Sequence, residues 1–545
     1  MLWLPGILRL PAIDRDESRF AQSSRQMLES GDFVDIRFGE VPRYKKPVGI
    51  YWLQAAATKA AGLGNTHIWT YRLPSLLGGI AAAWLTAWLG SLFTAEVGLL
   101  AARLLIATLL LTAEAGMATT DAVLLASIVG MQAVLLSVWR AAKENTAPPS
   151  TRLVMAGWAA LAISILVKGP VGPAVALATI AALFVFDRQW KDRQWRWLAG
   201  TKPLKGVALA LLIVLPWAIA IAIQTHGVFF QQSLGNDFAA KLAEGQEGHG
   251  ALPGYYLLLS TLTFWPAILF LPPAIGLAVT RRGEPMIRFL AAWALSWWLV
   301  VELVPTKLPN YVLPAFPPLV LLAALWLLTP RNKEAEGWRR FLPWVGALQF
   351  LIGLSALAAA PILSLRYAGA APPLNWPLVT AVAVAVLAGL VSLILFLTGK
   401  RLSALVASFA TAAILTLTLT AWVGPGLDQL WISQRLAALV AKDREASDPP
   451  PMLAGYQEPS LVFALGWNVS LTDGRGAADQ GAKTGGLALV DDQERPSFLA
   501  RLAELEANAS AVDDLSGFNY SRGRSVHVTL YRVAPLNSVS TPHVQ

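Results

Sequence analysis

TDAVLLASIVGMQAVLLSVWR, residues 120–140, decides the class of this chain. Between Asp121 and Arg140 it carries no charge, and it reaches the roughly 20 residues an α-helix needs to cross a bilayer. Similar apolar stretches recur from Leu76 to Trp422. Of the 545 residues, 55% are hydrophobic and 14% charged, where a soluble globular protein would carry about 25% charged residues. A soluble core of this size would also show more amphipathic periodicity. The chain therefore reads as a mainly α-helical, polytopic membrane protein. Its net charge of +9 does not point to nucleic acid, because the basic residues fall mostly in short loops between apolar runs, the pattern that orients membrane proteins. With no cysteine present, disulfides, thiol chemistry and cysteine-ligated metals are excluded.

The apolar pattern predicts spans at about 1–12, 73–92, 97–115, 120–140, 153–168, 170–186, 205–224, 254–279, 287–304, 309–328, 341–363, 376–397 and 402–423, thirteen in all. The first is too short to cross unaided, and the expectation is a truncated chain with its true start upstream of Met1. Loops 140–152, 187–206, 280–288, 329–340 and 398–401 hold nearly all the interhelical basic residues, among them Arg188, Lys191, Arg193, Arg196, Arg281, Arg282, Arg339 and Arg340. Loops 225–253, 302–308 and 364–375 are poor in them. The first set is accordingly cytoplasmic, which leaves the N-terminus inside and the C-terminal tail outside. Segment 13–70 breaks the pattern, being external by this count yet rich in Arg and Lys. Its charge calls for a reason other than topology. From about 428 to 545 the character changes to charged sequence in which apolar strands alternate with helix-like runs: SLVFALG (460–466), GLALVDD (486–492), FLARLAELEA (498–507) and VHVTLYRV (526–533). This reads as a small external α/β domain without a nucleotide-binding glycine motif, beside a membrane domain of 1–425.

Segment 13–70 carries most of the chemistry. IDRDESRFAQSSRQMLESGDF (13–33) puts Asp14, Asp16, Glu17 and Arg19 at the membrane surface. From Glu17 on, it fits a helix along the interface, with Phe20, Met27 and Leu28 on the apolar side. RYKKPVGIYWLQAAATKAAG (43–62) predicts a second such helix starting near Pro47. Lys45 and Lys46 then precede a helix N-terminus, a combination suited to an anion. Glu114, Asp121, Lys168, His249, Glu302, Lys307 and Tyr311 all fall at external ends of spans or in external loops. Singly, each reads as a helix cap or a snorkelling side chain. Gathered on one face, ionisable groups at a membrane read as functional. Carboxylates, several cations and a tyrosine at the outer edge of a bundle suit an anionic lipid-linked substrate such as a polyprenyl-phosphate sugar. The cations would stabilise the departing phosphate, and a carboxylate would orient or deprotonate an acceptor hydroxyl.

Eight stretches, in order and with spacing kept, resemble one family: DRDESRFA (14–21), MLESGDF (27–33), KKPVGIYWL (45–53), ATTDAVL (118–124), LVKGPVG (166–172), GHGALPGYY (248–256), KLPNYVLPAFP (307–317) and GYQEPSLVFALG (455–466). They are similar to the lipid-carrier-dependent GT-C glycosyltransferases, in the group of protein O-mannosyltransferases and bacterial aminoarabinose lipid A transferases, with the bacterial branch nearer. The resemblance implies a catalytic carboxylate at Asp16 with Glu17 as its partner. It places Arg19, Lys46, Lys307 and Tyr311 near the carrier phosphate and His249 in a loop over the cavity, and the residue pattern itself adds Lys45 at the phosphate and Asp121 and Lys168 elsewhere in the cavity. It further implies an inverting transfer from undecaprenyl phosphate to lipid A at the periplasmic face of a bacterial inner membrane. Alternatives are a protein or polysaccharide O-glycosyltransferase using the same kind of donor and, in another class, an anionic-lipid flippase. A flippase would place polar residues at mid-membrane, whereas here they cluster at one interface. Lys45 stands where the family has an acid that, with a loop histidine, is linked to a bound zinc in the aminoarabinose branch. A protonated lysine cannot replace that ligand, so neither a metal nor another cofactor is expected.

Overall fold

The computed structural model describes residues 2–186, 194–233, 235, 250–330, 337–368 and 375–536. The chain opens with a six-residue helix α1 (Leu4–Arg9), then α2 (Asp16–Ser30), a short hairpin of β1 (Arg37–Phe38) and β2 (Val41–Pro42), and α3 (Gly49–Ala61). A helical bundle follows: α4 (Ile68–Ser91), α5 (Ala95–Ala107), α6 (Leu109–Gly116), α7 (Asp121–Glu144), α8 (Thr151–Lys168), α9 (Val171–Phe186) and α10 (Pro203–Gln224), with further helices to Gly426. Among the described residues nine helices are long and apolar enough to cross a membrane, or up to eleven if two bent pairs each count as one span. The expected count of thirteen is not reproduced, because α1 is a turn and a half and α9, with 16 residues, is shorter than a span.

Residues 120–140 form the centre. The most apolar window of α7 is 83% buried, against 22% for α10, so α7 is enclosed by protein while α10 presents its apolar side chains outward. Close approach depends on small residues. A Cβ on Gly78 of α4 would lie 2.7 Å from the Val123 nitrogen of α7, and one on Gly98 of α5 would lie 2.2 Å from the Ala87 carbonyl of α4.

Two spans are broken, between α5 and α6 by 67° and between Tyr255–Thr263 and Ala267–Thr280 by 116°. Backbone freed inside a membrane must find partners within the protein, and the two breaks meet: the Leu109 N–H donates to the Trp265 carbonyl at 2.9 Å. The first break turns α6 so that Glu114 is buried close to the start of α7.

Expected interfacial helices α2 and α3 are present, with Phe20 and Met27 of α2 buried. Yet α2 is not laid on lipid. It packs between α3 and a helix of the C-terminal domain, so Gln22, Ser23 and Ser24 on its other side are buried too. The C-terminal domain holds a five-stranded sheet in the order β4-β3-β5-β7-β6, built from β3 (Met452–Ala454), β4 (Ser470–Thr472), β5 (Gly486–Asp491), β6 (Ala509–Asn519) and β7 (Arg524–Val533). β3 runs parallel to β4 and β5, while β7 is antiparallel to β5 and β6. Two of the expected strands, 486–492 and 526–533, are in place, and 498–507 is largely helical. SLVFALG is helical instead (Pro459–Leu465), because Pro459 suits a first helical turn and removes a donor that a strand would need.

Candidate active site

Asp14, Arg15, Asp16 and Glu17 join α1 to α2. Successive helical residues point about 100° apart, and these neighbours accordingly reach different surroundings. Asp16 is 65% exposed and lies 3.6 Å from Nη2 of Arg43, which is itself buried. It opens onto a cavity of about 310 Å³ whose wall also includes Arg19, Arg43, Lys45, Lys46, Glu114, Asp121, Lys168 and Tyr311. Across it, Lys168 Nζ donates to Asp121 Oδ1 at 2.6 Å and sits 5.6 Å from the centre of the Tyr311 ring. Glu114 accepts from Thr119 Oγ1 at 2.7 Å. The Arg43 guanidinium lies over the Phe20 ring at 5.3 Å, and its buried Nε meets no hydrogen-bond partner among the described residues. Of the residues expected at the site, the fold thus gathers Asp16, Arg19, Lys45, Lys46, Asp121, Lys168 and Tyr311.

Glu17 does a different job from the one expected. Its carboxylate accepts from Arg72 Nε and Nη2, from the Ile13 N–H and from the Ala118 N–H, each at 2.8 Å. A carboxylate offers about four acceptor positions, so none remains for substrate. Arg72 is fully buried and also donates to the carbonyls of Ile7, Leu10 and Pro11. The pair therefore fixes the turn that carries Asp16 rather than serving as a second catalytic acid.

Lys307 is likewise displaced from its expected place at the phosphate. Its three donors go to the carbonyls of Val301, Glu302 and Val304, at 2.9, 2.5 and 2.7 Å. It closes the C-terminal end of the helix Pro285–Leu303, and burial lowers its pKa. Glu302 caps the start of the helix Tyr255–Thr263, accepting from the N–H groups of Gly254 and Tyr256 at 2.9 and 3.1 Å. His249 lies outside the described residues.

Arg43 was not singled out from sequence, although it stands two residues before the Lys45–Lys46 pair. Arg72 gave a usable signal, a lone charge at the mouth of a long apolar run. Asp14 is buried and its pKa is pushed up to about 6 by that burial. Between Asp14 and Asp16, Arg15 adopts φ 67° and ψ −115°, a conformation that costs a non-glycine residue about 1–3 kcal/mol.

A second cavity of about 360 Å³ adjoins the first. The two share Lys45, Lys46 and Lys168, but Pro47, Leu166, Val214, Trp217, Phe229 and Phe230 make the second mostly apolar. It lies between α8 and the outward-facing α10. No group of three or more His, Asp or Glu residues able to hold a metal occurs among the described residues.

The model of the dolichyl-phosphate-mannose-protein mannosyltransferase family matches residues 12–228. An undecaprenyl phosphate-α-4-amino-4-deoxy-L-arabinose arabinosyl transferase of Edwardsiella ictaluri is 27% identical over 367 residues, 66% of this chain and 61% of that protein. The enzyme of the same name from an Enterobacter species is 28% identical over 351 residues, 63% of this chain and 61% of its own length. The matched part therefore spans under two thirds of these relatives. Over the full architecture, the crystal structure of ArnT from Cupriavidus metallidurans bound to undecaprenyl phosphate superposes with a TM-score of 0.73 at 20% identity, covering 97% of this chain and 96% of that one. The fold is that of the GT-C glycosyltransferases. The 12–228 match to the mannosyltransferase family takes in Asp16, Arg43, Lys46, Glu114, Asp121 and Lys168, and Thr306, Leu308, Asn310 and Tyr311 of the cavity wall lie beyond it. In sequence the chain resembles the undecaprenyl phosphate-aminoarabinose arabinosyl transferases in particular.

Proposed function

We propose that this chain transfers aminoarabinose from undecaprenyl phosphate to lipid A, with inversion, at the periplasmic face of a bacterial inner membrane. The observation that carries the reading is the meeting of two cavities at Lys45, Lys46 and Lys168. One is charged and adjoins Asp16, and the other is apolar and reaches toward the lipid-facing helix. An amphiphile with a phosphate between a sugar and a prenyl chain has this sequence of needs. The prenyl chain would lie in the apolar cavity, the phosphate at the lysines, and the sugar toward Asp16.

In the reaction an acceptor oxygen attacks the anomeric carbon as the bond to the carrier phosphate breaks, and the carrier leaves with one more negative charge. Lys46 and Lys168, with Arg19 and Tyr311 nearby, would stabilise that charge before water could reach it. A lipid A phosphate is already anionic and loses no proton. Asp16 would then hold Arg43 and the acceptor in place, and Asp16→Asn would be mild. A hydroxyl acceptor must lose its proton, Asp16 would take it, and the same change would be nearly lethal. Basic loops and the reactive cavity lie at opposite ends of the same helices: α7 begins at Asp121 and ends beside Lys143, which supports the outward placement of the site.

The test uses the purified full chain with undecaprenyl-phosphate aminoarabinose and lipid A, read by mass spectrometry. Lipid A gaining one aminoarabinose is the expected product. Unmodified lipid A, with transfer to a peptide or polysaccharide acceptor instead, would overturn the acceptor assignment. An Asp16→Asn protein with full turnover on both phosphate and hydroxyl acceptors would overturn the role given to Asp16.

A further inference from the structure

The C-terminal domain touches the turn that carries Asp16. Ala12, Ala21, Tyr71, Ala118 and Phe463 form one buried apolar cluster, with Phe463 edge-on to Tyr71 at 5.5 Å. Polar contacts surround it. The Asp14 carboxylate accepts from the Ser460 N–H at 3.1 Å, and the Asp14 N–H donates to Tyr520 Oη at 2.7 Å. Arg15 donates to the Ser521 carbonyl, and Arg25 Nη1 to the Phe463 carbonyl at 2.7 Å. Glu458 ties the two contacting segments together, accepting from Asn519 Nδ2 at 2.8 Å and Arg522 Nε at 3.1 Å. Glu458 and Ser460 belong to the stretch GYQEPSLVFALG (455–466), to which the chemistry above gives no task.

Between these contacts and Asp16 lies Arg15 with its positive φ. A strained residue persists only where its surroundings over-determine it. On the membrane side, Glu17 holds the Ile13 N–H and Ser18 Oγ donates to the Ile13 carbonyl at 2.5 Å. On the other side, among the described residues, the C-terminal domain holds the Asp14 carboxylate and N–H and the Arg15 side chain, while the Arg15 carbonyl accepts from the Arg19 N–H at 3.2 Å. The backbone direction at Arg15 sets where Asp16 points.

We infer that the C-terminal domain is a positioning element of the transfer reaction, in which Tyr520 and the Ser460 N–H hold the Asp14–Arg15 turn so that Asp16 faces the cavity. This rests on the reading of Asp16 given above. The domain acts through Asp16 and does not itself touch substrate.

The experiment measures kcat and the donor KM of the full chain carrying Tyr520→Phe, Asp14→Ala or Asp14→Asn, with Asp16→Asn in parallel. Tyr520→Phe removes the oxygen that accepts from Asp14 yet keeps the ring. It is expected to lower kcat about tenfold, as the loss of one aligned hydrogen bond can, with the donor KM and melting temperature unchanged. Asp14→Ala should do the same. Asp14→Asn should restore kcat, because its amide oxygen still accepts from the Ser460 N–H. An unchanged kcat in both Tyr520→Phe and Asp14→Ala would overturn the inference. So would losses that follow the folded fraction and are not restored by Asn. If Asp16→Asn is impaired while Tyr520→Phe is not, the positioning role alone fails. If Asp16→Asn turns over like the wild type on both kinds of acceptor, the reading of Asp16 fails with it.

Discussion

The charged residues around the polar cavity, often neighbours in the chain, fall into an exposed set and a saturated set. They differ in how completely those charges are satisfied. On the wall, Asp16 is exposed and its ion-pair partner Arg43 is 3.6 Å away. One residue on, Glu17 accepts four hydrogen bonds at 2.8 Å. Lys46 borders both cavities, whereas Lys307 spends its three donors on helix carbonyls. An exposed charge such as Asp16 can meet a substrate, and saturated charges such as Glu17 and Lys307 can only hold a shape. Substitutions that remove an exposed wall charge should therefore reduce activity, and those that break a saturated charge should reduce stability first.

The largest effect is expected at a saturated charge. Glu17→Gln leaves Arg72 buried with its charge uncompensated, at a cost of about 3–5 kcal/mol. Thermal or denaturant unfolding in detergent should show it. A loss of turnover at full stability would break the comparison. On the wall, Lys46→Met should cut the transfer rate roughly 100- to 1,000-fold, the range for losing one donor to developing charge, with an unchanged melting temperature.

Asp14 sharpens the contrast through pH. Its folded pKa of about 6 lies above the ordinary value of 3.8, so the folded protein keeps this proton after the unfolded chain has lost it. Stability from this group is present below pH 4 and falls as pH rises toward 6, by at most about 3 kcal/mol. Melting curves across that range should show the slope, and Asp14→Asn should flatten it. Smallest of the four, Lys307→Met removes donors to the helix end and should cost about 1–3 kcal/mol of stability, with less than a twofold change in donor KM.

Much of this was legible in the sequence because membranes impose simple rules. An uncharged run such as 122–139 has few ways to fold, and the stretches holding Asp16, Lys46, Asp121, Lys168 and Tyr311 were marked by polar residues at span ends. Which of two adjacent acids faces the cavity was not legible. A rotation of about 100° per residue decides it, and that depends on Arg72 arriving from 55 positions away. For the same reason Lys307 looked like a phosphate ligand: its partners are backbone carbonyls, which leave no mark in side-chain identity. SLVFALG was ambiguous as a short apolar run, and Pro459 resolved it in favour of a helix.

The most direct test is the affinity of the purified chain for undecaprenyl phosphate, measured for Lys46→Met and Lys307→Met side by side. The account predicts that Lys46→Met binds about tenfold or more weakly, as expected for losing a charged hydrogen bond, and that folded Lys307→Met binds like the wild type. Undiminished binding by Lys46→Met, or a loss confined to Lys307→Met, would contradict it.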